Sequence, residues 1–285
     1  MVSLFPIHPV ASSKRLFKRG LSRQTQLTLR SAVNRTKAEI LSLGSSVECP
    51  ICKRTFLFFL RFGGRPNEWC PGCRSLGRHR LMYLYLRDQT DLLRGVKSVR
   101  ILHVGPEFCL QPLLNSIPSA TYVSTDLMMS IVDLLGIPPN VCMSVTQACF
   151  PSNTFDLVIC SHVLEHVRAD RQAIAELSRV TRPGGLALLP VPVAWDREIT
   201  EERQELSPFE RAELYGETDH LRKYGRDYLD RLREVGFGTR VFRLEDPFLL
   251  QRYRIDMGDP LVVARKYREA SLFKKTAHQP SALSC

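Results

Sequence analysis

Near the front of the chain stand two short cysteine pairs, Cys49-Pro50-Ile51-Cys52 and Cys70-Pro71-Gly72-Cys73, with seventeen residues between them. A thiolate pair two residues apart can bend around one face of a metal ion, and a second pair completes a tetrahedron. Pro and Gly within the pairs suit the tight turn this needs. The spacing is that of a zinc site made by Cys49, Cys52, Cys70 and Cys73. Four thiolates leave no open coordination position, so the expected role of the ion is structural. Four buried free thiols are the plainer alternative. A redox role fits less well, because that motif usually occurs singly beside a βαβ unit.

A second set of residues lies downstream, each near the end of an apolar run. Gly105, Pro106 and Glu107 follow residues 99–104. Asp126 follows residues 122–125 and comes twenty-one residues after Gly105. An acid at that offset, on a strand end, can accept hydrogen bonds from both hydroxyls of a ribose, or it can cap a helix. Ser161, His162, Glu165 and His166 follow residues 155–160, while Asp219, His220 and Tyr224 lie much further along. Histidine changes charge near neutral pH, which suits it to orient or deprotonate a bound group. Each of these also has a structural alternative. His162 and His166 read equally as core or turn histidines, Asp219-His220 as a capping and surface pair, and Glu165 as a structural acid.

Such residues need a scaffold that gathers strand ends. Apolar runs of four to six residues at 99–104, 122–125, 141–145, 155–160 and 186–191 alternate with turn signals. Continuous apolar strands belong to parallel sheets covered on both faces, and ligands bind these at the carboxyl ends of the strands. Residues 170–181 place Ala173, Ile174, Leu177 and Val180 on one helical stripe, ended by Pro183-Gly184-Gly185. A helix is predicted over 75–93, with Arg78-His79-Arg80 at its start facing either the cofactor pocket or solvent, solvent being favoured. Residues 56–62 are expected as a strand in a small hairpin. Residues 195–216 read as a charged insertion or lid, 228–235 as a helix stopped by Gly236, and 238–244 and 261–265 as the last strands. The expected architecture is α/β, a Rossmann-like doubly wound sheet preceded by a small zinc-ribbon-like module. The boundaries that follow are a basic leader at 1–46, the cysteine module at 47–75, a linking helix at 76–98, a catalytic domain at 99–265 and a tail at 266–285.

The chain of 285 residues is 44% hydrophobic and carries a net charge of +11, a composition normal for a globular protein with a substantial core. The charge is uneven: residues 1–48 contribute +6, residues 49–88 another +6, and the remainder −1. Basicity therefore belongs to the front of the chain and opens the possibility of a nucleic-acid partner, an anionic surface or organelle targeting. Residues 27–41 have the pattern of a basic amphipathic helix. Pro6, His8 and Pro9 interrupt the only candidate for the apolar core of a secretory signal. No apolar run reaches the roughly 18 residues of a membrane span. Nine cysteines in a chain this long, four of them in close pairs, point to a reducing compartment and not to a secreted disulfide scaffold. The expected location is the cytoplasm, or an organelle reached through the leader in a eukaryote.

The run Phe155-Asp156-Leu157-Val158…His162-Val163-Leu164-Glu165-His166-Val167, with Arg179-Val180 and Pro183-Gly184-Gly185 beyond it, resembles the class I S-adenosylmethionine-dependent methyltransferases, in the branch called type 11. The two cysteine knuckles, Arg78-His79-Arg80, His103-Val104-Gly105-Pro106-Glu107 and Asp219-His220…Tyr224-Gly225-Arg226-Asp227 are similar to a bacterial subgroup in which a zinc module precedes the catalytic domain. The likeness spans residues 47–265. It implies that Gly105, Pro106 and Glu107 pass the methionine portion of S-adenosylmethionine, that Asp126 binds the ribose and Leu127 covers the adenine, that Ser144 and Val145 contact the adenine, and that Ser161 and His162 line the methyl-donor side. The chain departs from the family's pattern at three points. His103 stands where most members have an acid, Glu107 where they have a second glycine, and Ser144 where an acid meets the adenine amino group. Glu107 is expected to supply the missing negative charge.

Methyl transfer from a sulfonium is an in-line displacement, and the protein mainly aligns donor and acceptor. For an oxygen or nitrogen acceptor, His162, His220 and Tyr224 are the candidates to orient or deprotonate it. A small molecule or glycan is favoured over nucleic acid as the acceptor, because aromatic and basic residues are not interleaved beyond 56–65. A nicotinamide oxidoreductase is disfavoured by the lack of Gly-x-Gly-x-x-Gly after the first strand. The competing non-enzymatic reading is a zinc-containing nucleic-acid-binding protein with a degenerate methyltransferase body.

Overall fold

The computed structural model describes residues 36, 39–95, 97–127, 139–203 and 205–267. Most of the leader, most of the amphipathic segment at 27–41 and nearly all of the tail lie outside these residues. The cysteine pairs sit among two antiparallel ribbons: β1 (Val47–Cys49) pairs with β2 (Arg54–Phe56), and β3 (Leu60–Phe62) with β4 (Arg65–Trp69). The strand expected over 56–62 is divided. Leu57 and Phe58 are exposed, whereas Phe59 turns inward and meets Phe56 edge to face, with ring centroids 5.9 Å apart.

Helix α1 (Gly77–Gln89) follows, shorter than the expected 75–93. Thr90 ends it by donating its hydroxyl to the carbonyl of Leu86 (2.6 Å) while accepting from the backbone N–H of Leu92 (3.3 Å). The remaining elements are β5 (Val99–Val104), α2 (Gln111–Asn115), β6 (Ala120–Asp126), β7 (Val141–Cys142), β8 (Phe155–Cys160), α3 (Asp170–Val180), β9 (Thr181–Leu188), α4 (Pro208–Tyr215), α5 (Tyr228–Glu234), β10 (Phe237–Phe242), α6 (Pro247–Tyr253) and β11 (Leu261–Lys266).

Seven strands form one sheet in the order β10-β11-β9-β8-β5-β6-β7. Neighbours from β9 through β7 are parallel, and β11 runs antiparallel to both β9 and β10. Alternation along the strands separates two cores. Leu102, Val104, Val158 and Cys160 pack on one face with α3 and α5, while Ile101, Leu157, Ile159 and Leu188 pack on the other with α1 and α2. Both faces are covered, which is why these strands read as unbroken apolar runs. The chain order reverses between β5 and β8, and a crevice opens beyond their carboxyl ends at such a point.

Two strand boundaries differ from the sequence expectation. The third strand was expected over 141–145 but ends at Cys142; Ser144 instead starts a turn, accepting from the N–H of Gln147 (3.1 Å) and bonding the Thr146 hydroxyl (2.8 Å). The fifth was expected over 186–191 but begins at Thr181, because Pro183-Gly184-Gly185 forms a bulge inside the strand and not a helix stop. Phe155 pairs with Thr181 and Leu157 with Leu186, so the extra residues are looped out. Gly184 takes φ +77 to make that bend. The charged stretch at 195–216 contains α4, capped by Ser207, whose hydroxyl accepts from the N–H of Glu210. Among the described residues no helix is long and apolar enough to cross a membrane.

Candidate active site

The loop leaving β5 is shaped by Gly105, which adopts φ +60 and donates its N–H to the carbonyl of Thr125 (2.8 Å). A Cβ at this position would come within 2.8 Å of Val163, so the backbone there passes close under the loop that follows β8. Glu107 folds back onto its own strand, and its Oε2 is hydrogen-bonded to Nε2 of the fully buried His103. The other ring nitrogen of His103 meets the hydroxyl of Tyr122 (2.9 Å). Burial opposes a charge on Glu107, but the proximity and hydrogen bond of His103, then His79, outweigh it and hold the carboxyl at about 2. Glu107 Oε1 and the hydroxyl of Ser161, which lies near enough to help lower the Glu107 pKa, are buried and have no hydrogen-bond partner of good geometry among the described residues. An uncommitted carboxylate oxygen and a hydroxyl at adjacent strand ends suit an ammonium or hydroxyl donor from a ligand. The methionine end of S-adenosylmethionine carries such an ammonium, and these residues fit it.

For His79, as for Arg78 and Arg80, solvent was favoured over the cofactor pocket. It is buried instead, and its Nδ1 accepts from the N–H of Leu76 (3.1 Å), so a neutral ring carries its proton on Nε2, 3.9 Å from Glu107 Oε1. Burial pushes its pKa down to about 3. Arg80 is also fully buried, donating to the carbonyls of Ser75 (2.7 Å), Tyr253 (2.6 Å) and Arg254 (2.7 Å) and lying over the ring of Phe59. A charged tripeptide at a helix start reads as surface; only the packing of the cysteine ribbons over α1 encloses it.

Past β8, His162 takes φ +53 and donates its N–H to Pro190 (2.9 Å), a left-handed conformation uncommon outside glycine. It lines a cavity of about 230 Å³. The opposite walls come from the β3–β4 ribbon, through Phe62, Arg65 and Glu68, and from Arg78, Trp195 and Asp259. Behind His162, Oε1 of Glu165 lies 3.2 Å from its Nδ1. Glu165 is 1% exposed and neither carboxylate oxygen has a hydrogen-bond partner of good geometry.

The other sequence candidates fall in different places. His220 is buried away from the cavity lining; its Nδ1–H donates to the carbonyl of Tyr215 (3.0 Å) and its ring packs against His166. Tyr224 does not suit the catalytic role expected of it. It is fully buried in the core, its hydroxyl donates to Asp170 (2.9 Å), and burial pushes the phenol far above its ordinary pKa. Asp126 ends β6 half-buried, paired in register with Cys142. Leu127 is exposed, and Ser144 is half-buried. Val145 belongs to the core, so its side chain is not available to a ligand. Arg222, which no local signal marks, is fully buried and bonds the carbonyls of Leu164 (3.0 Å), Val167 (2.5 Å) and Arg168 (2.9 Å), pinning the turn after β8.

The four cysteines converge. All four sulfurs lie within 4.8 Å of one another, with Cys49–Cys73 at 3.5 Å and Cys52–Cys70 at 3.7 Å. Tetrahedral zinc with Zn–S bonds of about 2.3 Å separates its sulfurs by roughly 3.8 Å, so the cluster is compatible with such an ion. Two matching knuckles make it: Lys53 (φ +56) bonds Cys49 and Arg74 (φ +64) bonds Cys70 through the same backbone turn. Gly72 leaves the room needed, since a Cβ there would lie 3.1 Å from Cys52 Sγ. Hydrogen bonds among the thiols lower the pKa of Cys49 and raise those of Cys70 and Cys73.

A sheet of this order, with a glycine turn after its first parallel strand and polar groups at its switch point, is a Rossmann-like doubly wound fold of the kind that binds ligands beyond its strand ends. Residues 105–189 match the family described as a methyltransferase domain, the type 11 group. No curated protein matches the chain. Among solved structures it is similar to an S-adenosylmethionine-dependent methyltransferase from Archaeoglobus fulgidus, at 14% identity and TM-score 0.46, covering 68% of this chain and 96% of that one. A putative methyltransferase from Bacillus halodurans aligns at 18% identity and TM-score 0.39, over 64% and 100% of the two chains. One from Mesorhizobium loti aligns at 18% identity and TM-score 0.41, over 61% and 95%.

Proposed function

We propose that the chain transfers a methyl group from S-adenosylmethionine to an oxygen or nitrogen atom of a polar small molecule or glycan seated in the cavity beside His162. Gly105, Pro106, Glu107 and Ser161 would hold the methionine portion, Asp126 the ribose, and Leu127, Ser144 and the backbone of Val145 the adenine. Glu107 is the anion for the amino group, in place of the acid that His103 displaces. When bound, the cofactor supplies a methyl group already activated by the sulfonium charge.

The observation that carries this reading is His162 between a buried carboxylate and a cavity. Glu165 Oε1 lies 3.2 Å from Nδ1, which favours the tautomer protonated there, with the lone pair on Nε2 free to accept a proton from an acceptor hydroxyl or amine. Arg65, Glu68, Arg78, Glu217 and Asp259 on the cavity walls favour a polar acceptor. The sulfur spacing supports structural zinc at Cys49, Cys52, Cys70 and Cys73. On this reading residues 47–75 form the zinc module, 76–98 the linking helix and 99–265 the catalytic domain, with the module supplying one wall of the acceptor cavity. The free cysteines favour the reducing cytoplasm.

Calorimetric titration of the zinc-loaded protein with S-adenosylmethionine, beside Asp126→Ala, followed by a screen of small-molecule and glycan acceptors, tests the proposal. The wild type is expected to bind and the variant to bind more weakly. A wild type without affinity for the cofactor overturns it and favours the non-enzymatic nucleic-acid-binding alternative, which salt-dependent binding to generic RNA or DNA would then check.

A further inference from the structure

We propose that Glu165, His166 and His220 form a binding site for a divalent transition-metal ion of zinc's class, separate from the four-cysteine cluster. One ligand atom from each of the three lies within 4.8 Å of the other two. Their burial differs in an informative way. Glu165 and His220 are buried, whereas His166 reaches solvent.

The state of each side chain points to a ligand. Both oxygens of Glu165 are buried and without a hydrogen-bond partner of good geometry; His162 Nδ1 lies 3.2 Å from Oε1, and nothing comparable among the described residues faces Oε2, a costly arrangement unless something else satisfies the charge. His220 donates its Nδ1–H to the carbonyl of Tyr215 at 3.0 Å; a carbonyl can only accept, so the neutral ring has its lone pair on Nε2. The Nδ1 of His166 lies 3.3 Å from Asp219 Oδ2, a carboxylate near enough to favour a proton on that nitrogen. Imidazoles whose Nδ1–H is held by a carbonyl or carboxylate, with Nε2 left over, are prepared as metal ligands. The rings of His166 and His220 pack edge to face with centroids 4.8 Å apart, so the two imidazoles and the Glu165 carboxylate share one small volume.

The surrounding backbone fixes this meeting of two distant segments. Leu221 donates its N–H to the carbonyl of Glu165 at 2.8 Å, and Arg222 binds the carbonyls of Leu164, Val167 and Arg168. A tetrahedral ion with bonds of about 2.1 Å separates its ligand atoms by roughly 3.4 Å. A small side-chain adjustment by the exposed His166 therefore closes the site. Two imidazoles and a carboxylate suit zinc, cobalt, nickel or iron and not magnesium or calcium, which prefer all-oxygen sets. Three protein ligands with one solvent-facing side leave a position for water or a ligand, unlike the filled cysteine site. The proximity of Glu165 to His162 places such an ion one carboxylate away from the cavity.

The test needs no methyl-transfer assay, so its failure leaves the proposed function standing. Full-length protein is dialysed against zinc, and bound metal is measured by elemental analysis for wild type, His166→Ala, His220→Ala and Asp219→Asn. Cobalt replaces zinc in a parallel series, where thiolate-to-cobalt charge-transfer absorption reports the cysteine site alone. Wild type is expected to hold one ion per chain beyond the cysteine-bound one. His166→Ala, whose ring is already partly exposed, should lose that ion and with it the zinc-dependent rise in thermal midpoint, while keeping the thiolate signal. His220→Ala should lose it too, and Asp219→Asn should weaken it by about 10–100-fold. A wild type holding only the cysteine-bound ion, or extra metal retained by both histidine variants, overturns the proposal.

Discussion

Oε1 of Glu165 lies 3.2 Å from Nδ1 of His162, the carboxylate buried and the imidazole at the edge of a cavity. A general base needs one nitrogen aimed at its substrate and the other held, and the pair has that form. His162→Ala is expected to lower kcat by about 10²–10⁴-fold on the true acceptor, with the affinity for S-adenosylmethionine changed far less. Single-turnover rates set beside calorimetric Kd values check this. Equal losses in both would mean that His162 shapes the cofactor site instead.

Glu107 offers its uncommitted oxygen next to Ser161. Removing its charge with Glu107→Gln should weaken S-adenosylmethionine by roughly ten- to a hundredfold, the range of a hydrogen bond to a charged group. Adenosine, which has no amino acid portion, should bind both proteins equally. Competition measurements with the two ligands separate a lost ionic contact from a general collapse of the loop.

Gly105 combines φ +60 with a neighbour 2.8 Å from any added Cβ. Gly105→Ala should destabilise the β5 exit loop by about 1–3 kcal/mol and reduce cofactor binding together with it. Urea unfolding followed in parallel with calorimetry detects both effects. Unchanged binding would show that the loop has room to move aside.

Acid should destabilise the protein through two buried groups. His79 has a folded pKa of about 3 against 6.5 when free, so as pH falls from 6.5 toward 3 the unfolded chain takes up a proton that the folded one refuses. Glu107 has a folded pKa of about 2 against 4.5, so its contribution is present above 4.5 and is lost between 4.5 and 2. Both signs agree: stability falls with acidification, by about 1.4 kcal/mol per pH unit for each proton involved. Urea midpoints between pH 7 and 4 should fall for wild type and fall less steeply for His79→Gln.

Chelation of the zinc proposed for the four cysteines should reach beyond the ribbons. Arg80 lies beneath the cluster and bonds Ser75 on one side and residues 253–254 on the other. Treatment with a strong chelator, or Cys70→Ser, is expected to lower Tm by about 10 °C and to expose α1 to amide hydrogen exchange. Exchange confined to residues 47–75 would mean that the ribbons and the sheet are energetically independent.

Much of this protein is written locally in its residues. The cysteine spacing and the apolar runs of β5, β6 and β8 are legible because a metal knuckle and a doubly covered strand each need only neighbours in sequence. The loop residues at those strand ends follow from the same pattern. Tertiary structure decided the rest. Tyr224 and Val145 face the core because packing, not periodicity, chooses which side of a short segment is buried. Pro183-Gly184-Gly185 forms a bulge because β9 pairs with β8 on both sides of it, with the register shifted between Thr181 and Leu186. The meeting of His166 with His220, and of the β3–β4 ribbon with His162, joins residues more than fifty positions apart. No local signal specifies such contacts, and they exist only because Arg222, Arg80 and the backbone bonds around them close the chain on itself.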